Sequence, residues 1–257
     1  MKVCKFIKHN SMEFTGSNKA DIKEGTDQDD IFRGLKGNDI FSGESGDDQL
    51  LGGDGNDVLY GSSDDDTLIG GRGNDALFGG WQSDLLQGEA GADILLGGTD
   101  RDVLVGGRDN DELTGGSDRD AFVFWSRSRN EGVDRIIDFS SAEDQIRVFV
   151  DGFGGSNAGL ETNAFITPEQ FVTGAQAGEA DDRFIYNPNT GALFFDIDGL
   201  GGSRQKQLAI LPTGLSLTNS NIFVSDSDNL LLPIPFLPMR GGIPVVPMMP
   251  LQTEPTI

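Results

Sequence analysis

Eleven aspartates stand nine residues apart without interruption: Asp30, Asp39, Asp48, Asp57, Asp66, Asp75, Asp84, Asp93, Asp102, Asp111 and Asp120. Carboxylates can ligate a cation, trade protons with a substrate, or accept backbone hydrogen bonds in turns. The spacing separates these uses. If two nonapeptides make one coil, alternate aspartates stack in register. One ladder is then Asp30, Asp48, Asp66, Asp84, Asp102 and Asp120, and the other is Asp39, Asp57, Asp75, Asp93 and Asp111, opened by Asp21 if that residue joins. Rungs one strand spacing apart, roughly 4.8 Å, repel by about 0.9 kcal/mol in water and about 3.5 kcal/mol at an effective dielectric of about 20. A domain is stable by only about 5–15 kcal/mol, so such ladders need a counter-charge. Carboxylates and main-chain carbonyls from an open turn form an all-oxygen donor set, and flexible high coordination favours Ca²⁺ over Mg²⁺. Counting gaps between rungs predicts about nine ions, or about ten with Asp21.

The rest of each nonapeptide says what must position these groups. Gly25 opens the first full unit, and glycine recurs every nine residues to Gly115. Two places after each aspartate stands Leu or Phe, from Phe32 and Phe41 through Leu50 to Leu113 and Phe122. A weaker unit, GSNKADIKE at 16–24, keeps Gly16 and Asp21 but puts Lys23 at the apolar place. A short fixed period means a solenoid. Nine residues suit a six-residue turn and a three-residue strand whose middle side chain points inward. The expected fold class is all-β: a parallel β-roll of 18 residues per coil with a thin Leu/Phe core, then a β-rich C-terminal cap and an extended Pro-rich tail. The fourth place of the unit should need positive φ. It is glycine at Gly37, Gly46, Gly55, Gly73 and Gly91 and aspartate at Asp64, Asp100, Asp109 and Asp118. Gln28 and Gln82 fit it poorly, so the sites around Gln82 should be weakest.

Composition excludes several classes. The chain has 257 residues, 42 acidic and 19 basic, for a net charge of −23. Nucleic acid and anionic membranes need basic footprints, so neither is an expected partner. The single cysteine, Cys4, forms no disulfide within the chain. The N-terminal sequence lacks the apolar h-region of a signal peptide, and no run approaches the roughly 18 apolar residues of a membrane span. The expected organisation is a leader over 1–15, the roll over 16–124, a β-rich cap over 125–224 and a tail over 225–257. In the cap, AFVFW, DRIIDF, DQIRVFV, DRFIYN, GALFFDID, QLAILP and NIFVSD read as strands, with a hairpin turning at Asn187–Gly191. Asp196 and Asp198 could hold another cation, although a tight turn is the simpler reading. The tail holds seven of the ten prolines and is apolar. It reads as an extended tail, disordered or lying on a surface; the alternative is a hydrophobic docking segment for the exporter, the cell envelope or a partner.

The units GGDGNDVLY and GGRGNDALF resemble the nonapeptide of the RTX, or haemolysin-type, calcium-binding repeats. That resemblance covers 25–124 well and 16–24 weakly. It implies a parallel β-roll with Ca²⁺ between neighbouring turns, held by the aspartates of both turns and by loop carbonyls. The segments GVDRIIDFSSAEDQIRV and IYNPNTGALFFDIDGLGG resemble the C-terminal portion of RTX modules in serralysin-type proteases. This implies export by a type I system with an uncleaved C-terminal signal, hence a secreted, extracellular location. The long tail departs from that pattern.

Parts for enzymatic chemistry are lacking. There is no HExxH, no G-x-S-x-G and no Walker A, and the only histidine is His9. The expectation is a secreted bacterial calcium-binding protein with no catalytic residues. It would fold on meeting Ca²⁺ outside the cell and serve a structural or adhesive role. Two alternatives stand beside it. One is a polysaccharide-active or polysaccharide-binding module assisted by Arg72, Arg101, Arg108, Arg119, Arg127 and Arg129. The other is a detached secretion and folding module.

Overall fold

A computed structural model describes residues 10–125, 132–149, 159–179, 181–196 and 205–225. Two short strands, β1 (Glu13–Thr15) and β2 (Ile22–Glu24), precede a regular series. That series is β3 (Ile31–Lys36), β4 (Ile40–Ser45), β5 (Gln49–Asp54), β6 (Val58–Ser63), β7 (Thr67–Arg72), β8 (Ala76–Trp81), β9 (Leu85–Ala90), β10 (Ile94–Thr99), β11 (Val103–Arg108) and β12 (Glu112–Gly116). Odd strands stack in one sheet and even strands in the other, all parallel over this span. Each residue lies beside the one 18 places on, as Leu50 beside Leu68 and Leu59 beside Leu77. The expected coil is therefore present.

The strands are six residues long rather than three. They run on through the position-one glycine, which is the second inward-facing residue of each strand. Inward places thus alternate between a large apolar side chain and a glycine. Phe32, Phe41, Leu50, Leu59, Leu68, Leu77, Leu86, Leu95, Leu104, Leu113 and Phe122 are all fully buried in one core. Pairing also begins earlier than Gly16. β1 pairs with β3, and Phe14 closes the N-terminal end edge-on against Phe32 and Phe41, with ring centroids 6.0 and 5.9 Å away.

The nonapeptide period stops near Val123, yet the roll continues. β13 (Ala121–Phe124), β15 (Gln145–Phe149) and β21 (Ile222–Ser225) extend the first sheet in parallel. β14 (Asp134–Ile136) and β20 (Gln205–Ile210) extend the second. Ile136, Ile146 and Ile222 carry the apolar row onward. Antiparallel strands then end both sheets: β16 (Ala164–Phe165) on β21, and β19 (Ala192–Asp196) on β20 and on β18 (Phe184–Tyr186), which is flanked by β17 (Phe171–Thr173). The hairpin turns at 187–191 as expected, with Gly191 N–H donating to Asn187 O at 2.8 Å. β16 and β17 are too short to leave an alternating pattern in the sequence. Among the described residues no helix is long and apolar enough to cross a membrane.

Candidate metal centre

Each turn between strands delivers its aspartate to the inside of the roll. The two ladders assemble as the spacing requires, and all eleven repeat aspartates are at most 2% exposed. Their linkage is directional. Asp48 Oδ1 accepts the N–H of Asp30 at 2.7 Å, Asp66 that of Asp48 at 2.8 Å, and Asp84 that of Asp66 at 2.8 Å. Asp102 then accepts from Asp84 at 2.9 Å, and Asp120 from Asp102 at 3.0 Å. In the second ladder Asp39 accepts from Asp21, Asp57 from Asp39, and Asp75 from Asp57, each at 2.7 Å. Asp93 accepts from Asp75 at 2.7 Å and Asp111 from Asp93 at 2.8 Å. Asp21 thus joins as the first, half-buried rung, while Asp30 reaches back to the N–H of Met12.

The other carboxylate oxygen is the informative one. Oδ2 of Asp39, Asp48, Asp57, Asp66, Asp75, Asp84, Asp93, Asp102, Asp111 and Asp120 is buried with no hydrogen-bond donor. A buried acceptor left this way costs about 1–3 kcal/mol, and more if charged. Ten in line mark a missing positive partner. The position-one glycine explains itself here. A Cβ on Gly61 would collide with Asp66 Oδ2 and lie 2.8 Å from Gly79 O. At Gly34, Gly52, Gly79, Gly88 and Gly97, too, a Cβ would run into the unit's own Oδ2 and the carbonyl one coil on. Only glycine lets both oxygens pack this close to the main chain. Among the described residues no three acidic, histidine or cysteine side chains converge on one point. What the repeats offer a cation is carboxylate and main-chain carbonyl oxygen. The donor set is hard oxygen only, which fits Ca²⁺.

The electrostatics agree. Burial pushes Asp48, Asp66 and Asp120 up to about 8, Asp84 to about 9, Asp93 and Asp102 to about 7, and Asp57 and Asp75 to about 6. The N–H donated by the preceding rung offsets part of this, and for most rungs neighbouring carboxylates add to it. Asp111 is raised by burial and by the charge of Asp134.

Two rungs lie beyond the repeats. Asp134 Oδ1 accepts from Asp111 N–H at 3.2 Å, and Asp144 Oδ1 from Asp120 N–H at 3.0 Å. Their steps are 23 and 24 residues rather than 18. The surviving signal is Asp-x-Ile, in Asp134–Ile136 and Asp144–Ile146, the tail of the nonapeptide without its turn. Asp138 adds a carboxylate that accepts from Gly115 and Gly116 N–H at 3.0 and 2.8 Å.

Positive φ occurs at the fourth place of every unit from Gly37 onward, including Gln82 at 74° and Asp64 at 80°, but not at Gln28, where the expectation fails. It also occurs at the second place, in Leu35, Glu44, Ser62 and Glu89. Asp196 is not in a turn; it is buried at the end of β19, with its N–H on Arg183 O at 2.8 Å. Asp198, Arg127, Arg129, Cys4 and His9 lie outside the described residues. Arg72 and Arg108 end β7 and β11 on one edge of the roll, whereas Arg101 and Arg119 lie in turns on the other. These four do not line a common groove.

The profile of the RTX calcium-binding nonapeptide repeat matches four times, at residues 15–50, 24–59, 51–86 and 87–122. No curated protein matches the chain. Among solved structures, the solution structure of a subunit of the Azotobacter vinelandii mannuronan C5-epimerase is similar at 19% identity. The match covers 94% of each chain, with a TM-score of 0.24. That superposition is loose, and the roll described above rests on the strand register of this chain.

Proposed function

We propose that this chain, whose residues 15–122 match the RTX calcium-binding nonapeptide repeat, is a secreted bacterial calcium-binding protein. On this reading its fold is completed by the ion outside the cell, and its role there is structural or adhesive rather than catalytic. The observation that carries the reading is the double row of buried Oδ2 atoms without a donor. Bound Ca²⁺ supplies the positive charge that those oxygens lack.

The residues do the rest. The aspartates of each ladder place one carboxylate oxygen at each step, and position-one glycines keep the neighbouring carbonyl within reach. With the ladders charged and empty, the coil is held apart by repulsion and desolvation. In low cytosolic calcium the chain stays unfolded and fit for type I export. At roughly millimolar calcium, sites of extracellular type fill and binding becomes folding free energy. About nine or ten ions bring about +18 to +20 against the net −23.

The test is a far-UV circular dichroism titration of chelator-stripped protein with CaCl₂, beside a MgCl₂ series. A cooperative gain of β signal with Ca²⁺ alone is expected. A chain fully folded in chelator and indifferent to calcium refutes the proposal.

A further inference from the structure

The two edges of the roll differ in charge once the ladders themselves are set aside. Places two to five of the turns that lead into odd strands, from Thr26 to Arg119, hold eight acidic and two basic residues, a net of −6. The same places in the turns that lead into even strands, from Ser17 to Asn110, hold three acidic and four basic residues, a net of +1. On this second edge Asp54 is paired with Lys36 at 3.2 Å and with Arg72 at 3.8 Å.

The fifth place shows that the turn does not need the extra charge. On the second edge Asn38 Oδ1 accepts the N–H of Asn56 at 3.0 Å, Asn56 that of Asn74 at 2.9 Å, and Asn74 that of Ala92 at 3.0 Å. On the first edge Asp29 Oδ1 accepts from Asp47 at 3.0 Å, Asp47 from Asp65 at 3.2 Å, and Asp65 from Ser83 at 3.0 Å. The bond is the same, and so is its step of 18 residues. An amide makes it without charge. The carboxylates make it against repulsion, stacked one strand spacing of about 4.8 Å apart. Asp47 and Asp65 are half-buried, which strengthens that repulsion. Asp64 adds another carboxylate beside them, holding Gly46 N–H at 3.1 Å and Gln82 Nε2 at 2.9 Å. Directly after Asp47 and Asp65 in the chain stand Asp48 and Asp66, whose Oδ2 atoms are buried with no donor.

We infer that the two rows of cation sites are of unequal strength: Asp29, Asp47, Asp64 and Asp65 make the row along Asp48, Asp66 and Asp84 the tighter one, selective for ions of higher charge, and the asparagine edge holds the weaker row. The inference rests on the calcium reading above. Orphaned Oδ2 atoms define both rows alike; the outer column of side chains sets the difference. A nearby carboxylate stabilises a cation in proportion to the cation's charge, so the bias grows from a divalent to a trivalent ion. Salt screens it. Beside the weaker row Arg72 and Arg108 flank Ala90 and oppose an incoming ion.

Trp81 supplies the reporter. It is 65% exposed at the third place of a turn on the first edge, between Ser63 and Thr99 of the neighbouring coils. Ala90 holds the third place of the next turn, on the second edge. Two full-length proteins are compared: Trp125→Phe, and the same chain with Trp81→Ala and Ala90→Trp. Both are folded in calcium and checked by circular dichroism. Terbium is then titrated in, and the midpoint of the luminescence excited through tryptophan is read. The expected midpoint is severalfold lower with the tryptophan at position 81 than at position 90, and the gap narrows in high salt. Asp29→Asn, Asp47→Asn and Asp65→Asn together keep the hydrogen bonds, as the asparagine edge does. They should raise the midpoint at position 81 severalfold and leave that at position 90 unchanged. Equal midpoints at the two places, or a triple variant that moves both equally, overturn the inference while the calcium reading stands. A chain that gains no β signal in calcium overturns that reading, and this inference with it.

Discussion

Acid should fold this protein in the absence of calcium. In the folded chain burial raises the carboxyl pKa of Asp48, Asp66, Asp84, Asp93, Asp102 and Asp120 to about 7 or above, against about 3.9 when unfolded. Groups raised in this way contribute stability that is fully present below the unfolded value. It is lost as pH rises through the folded one. Moving from about pH 7 to about pH 5 recovers on the order of 2–3 kcal/mol for one isolated group, at about 1.36 kcal/mol per unit. Neighbouring rungs titrate together, so the six do not simply add; the equivalent of two, about 5 kcal/mol, is already comparable to the whole stability of a marginal domain. The assay is far-UV circular dichroism in excess chelator, stepped from about pH 7.5 to about pH 5. That range stays above the isoelectric point near 4.1. A cooperative gain of β signal on acidification is expected, with uptake of several protons. In saturating calcium, where the carboxylates are already neutralised, the same range should be nearly flat. A chelated chain that gains no structure by about pH 5, or gains it only on alkalinisation, refutes the burial of uncompensated carboxylates.

Other perturbations act on single places. Gly61→Ala puts a methyl against Asp66 Oδ2; it should cost about 1–3 kcal/mol as overpacking and raise the calcium midpoint, read by denaturant melts at fixed calcium. Asp75→Ala removes the acceptor of Asp57 N–H and should lower the ions bound by one or two, counted by isothermal titration calorimetry. Leu35→Gly relieves a φ of 75° on an exposed side chain and should stabilise by up to about 1 kcal/mol, seen as a higher melting temperature in calcium.

The coil and both ladders were legible because one residue type per column repeats without a gap. The six-residue strand was not, because a strand that passes through glycine every nine residues looks like a turn. Positive φ at the second place was marked by the second glycine of each GG pair, Gly53, Gly71, Gly80, Gly98, Gly107 and Gly116; Leu35, Glu44, Ser62 and Glu89 take the same conformation without that mark. Asp134 and Asp144 were missed because the loops before them are longer, which breaks the period while Asp-x-Ile survives. The cap strands were visible from their alternation, but not that β14, β15, β20 and β21 prolong the roll, since parallel pairing leaves no local mark.

The hydrogen bonds of the ladders all lean one way: each carboxylate completes the main chain of the coil before it. The last two repeats take their acceptors from Asp134 and Asp144 of the cap. The side chains one place before the ladder lean the other way: Asn56 N–H donates to Asn38 Oδ1 and Asn74 N–H to Asn56 Oδ1, each one coil back. Every inner coil is therefore tied to both of its neighbours, and a lesion at one rung is felt on either side of it.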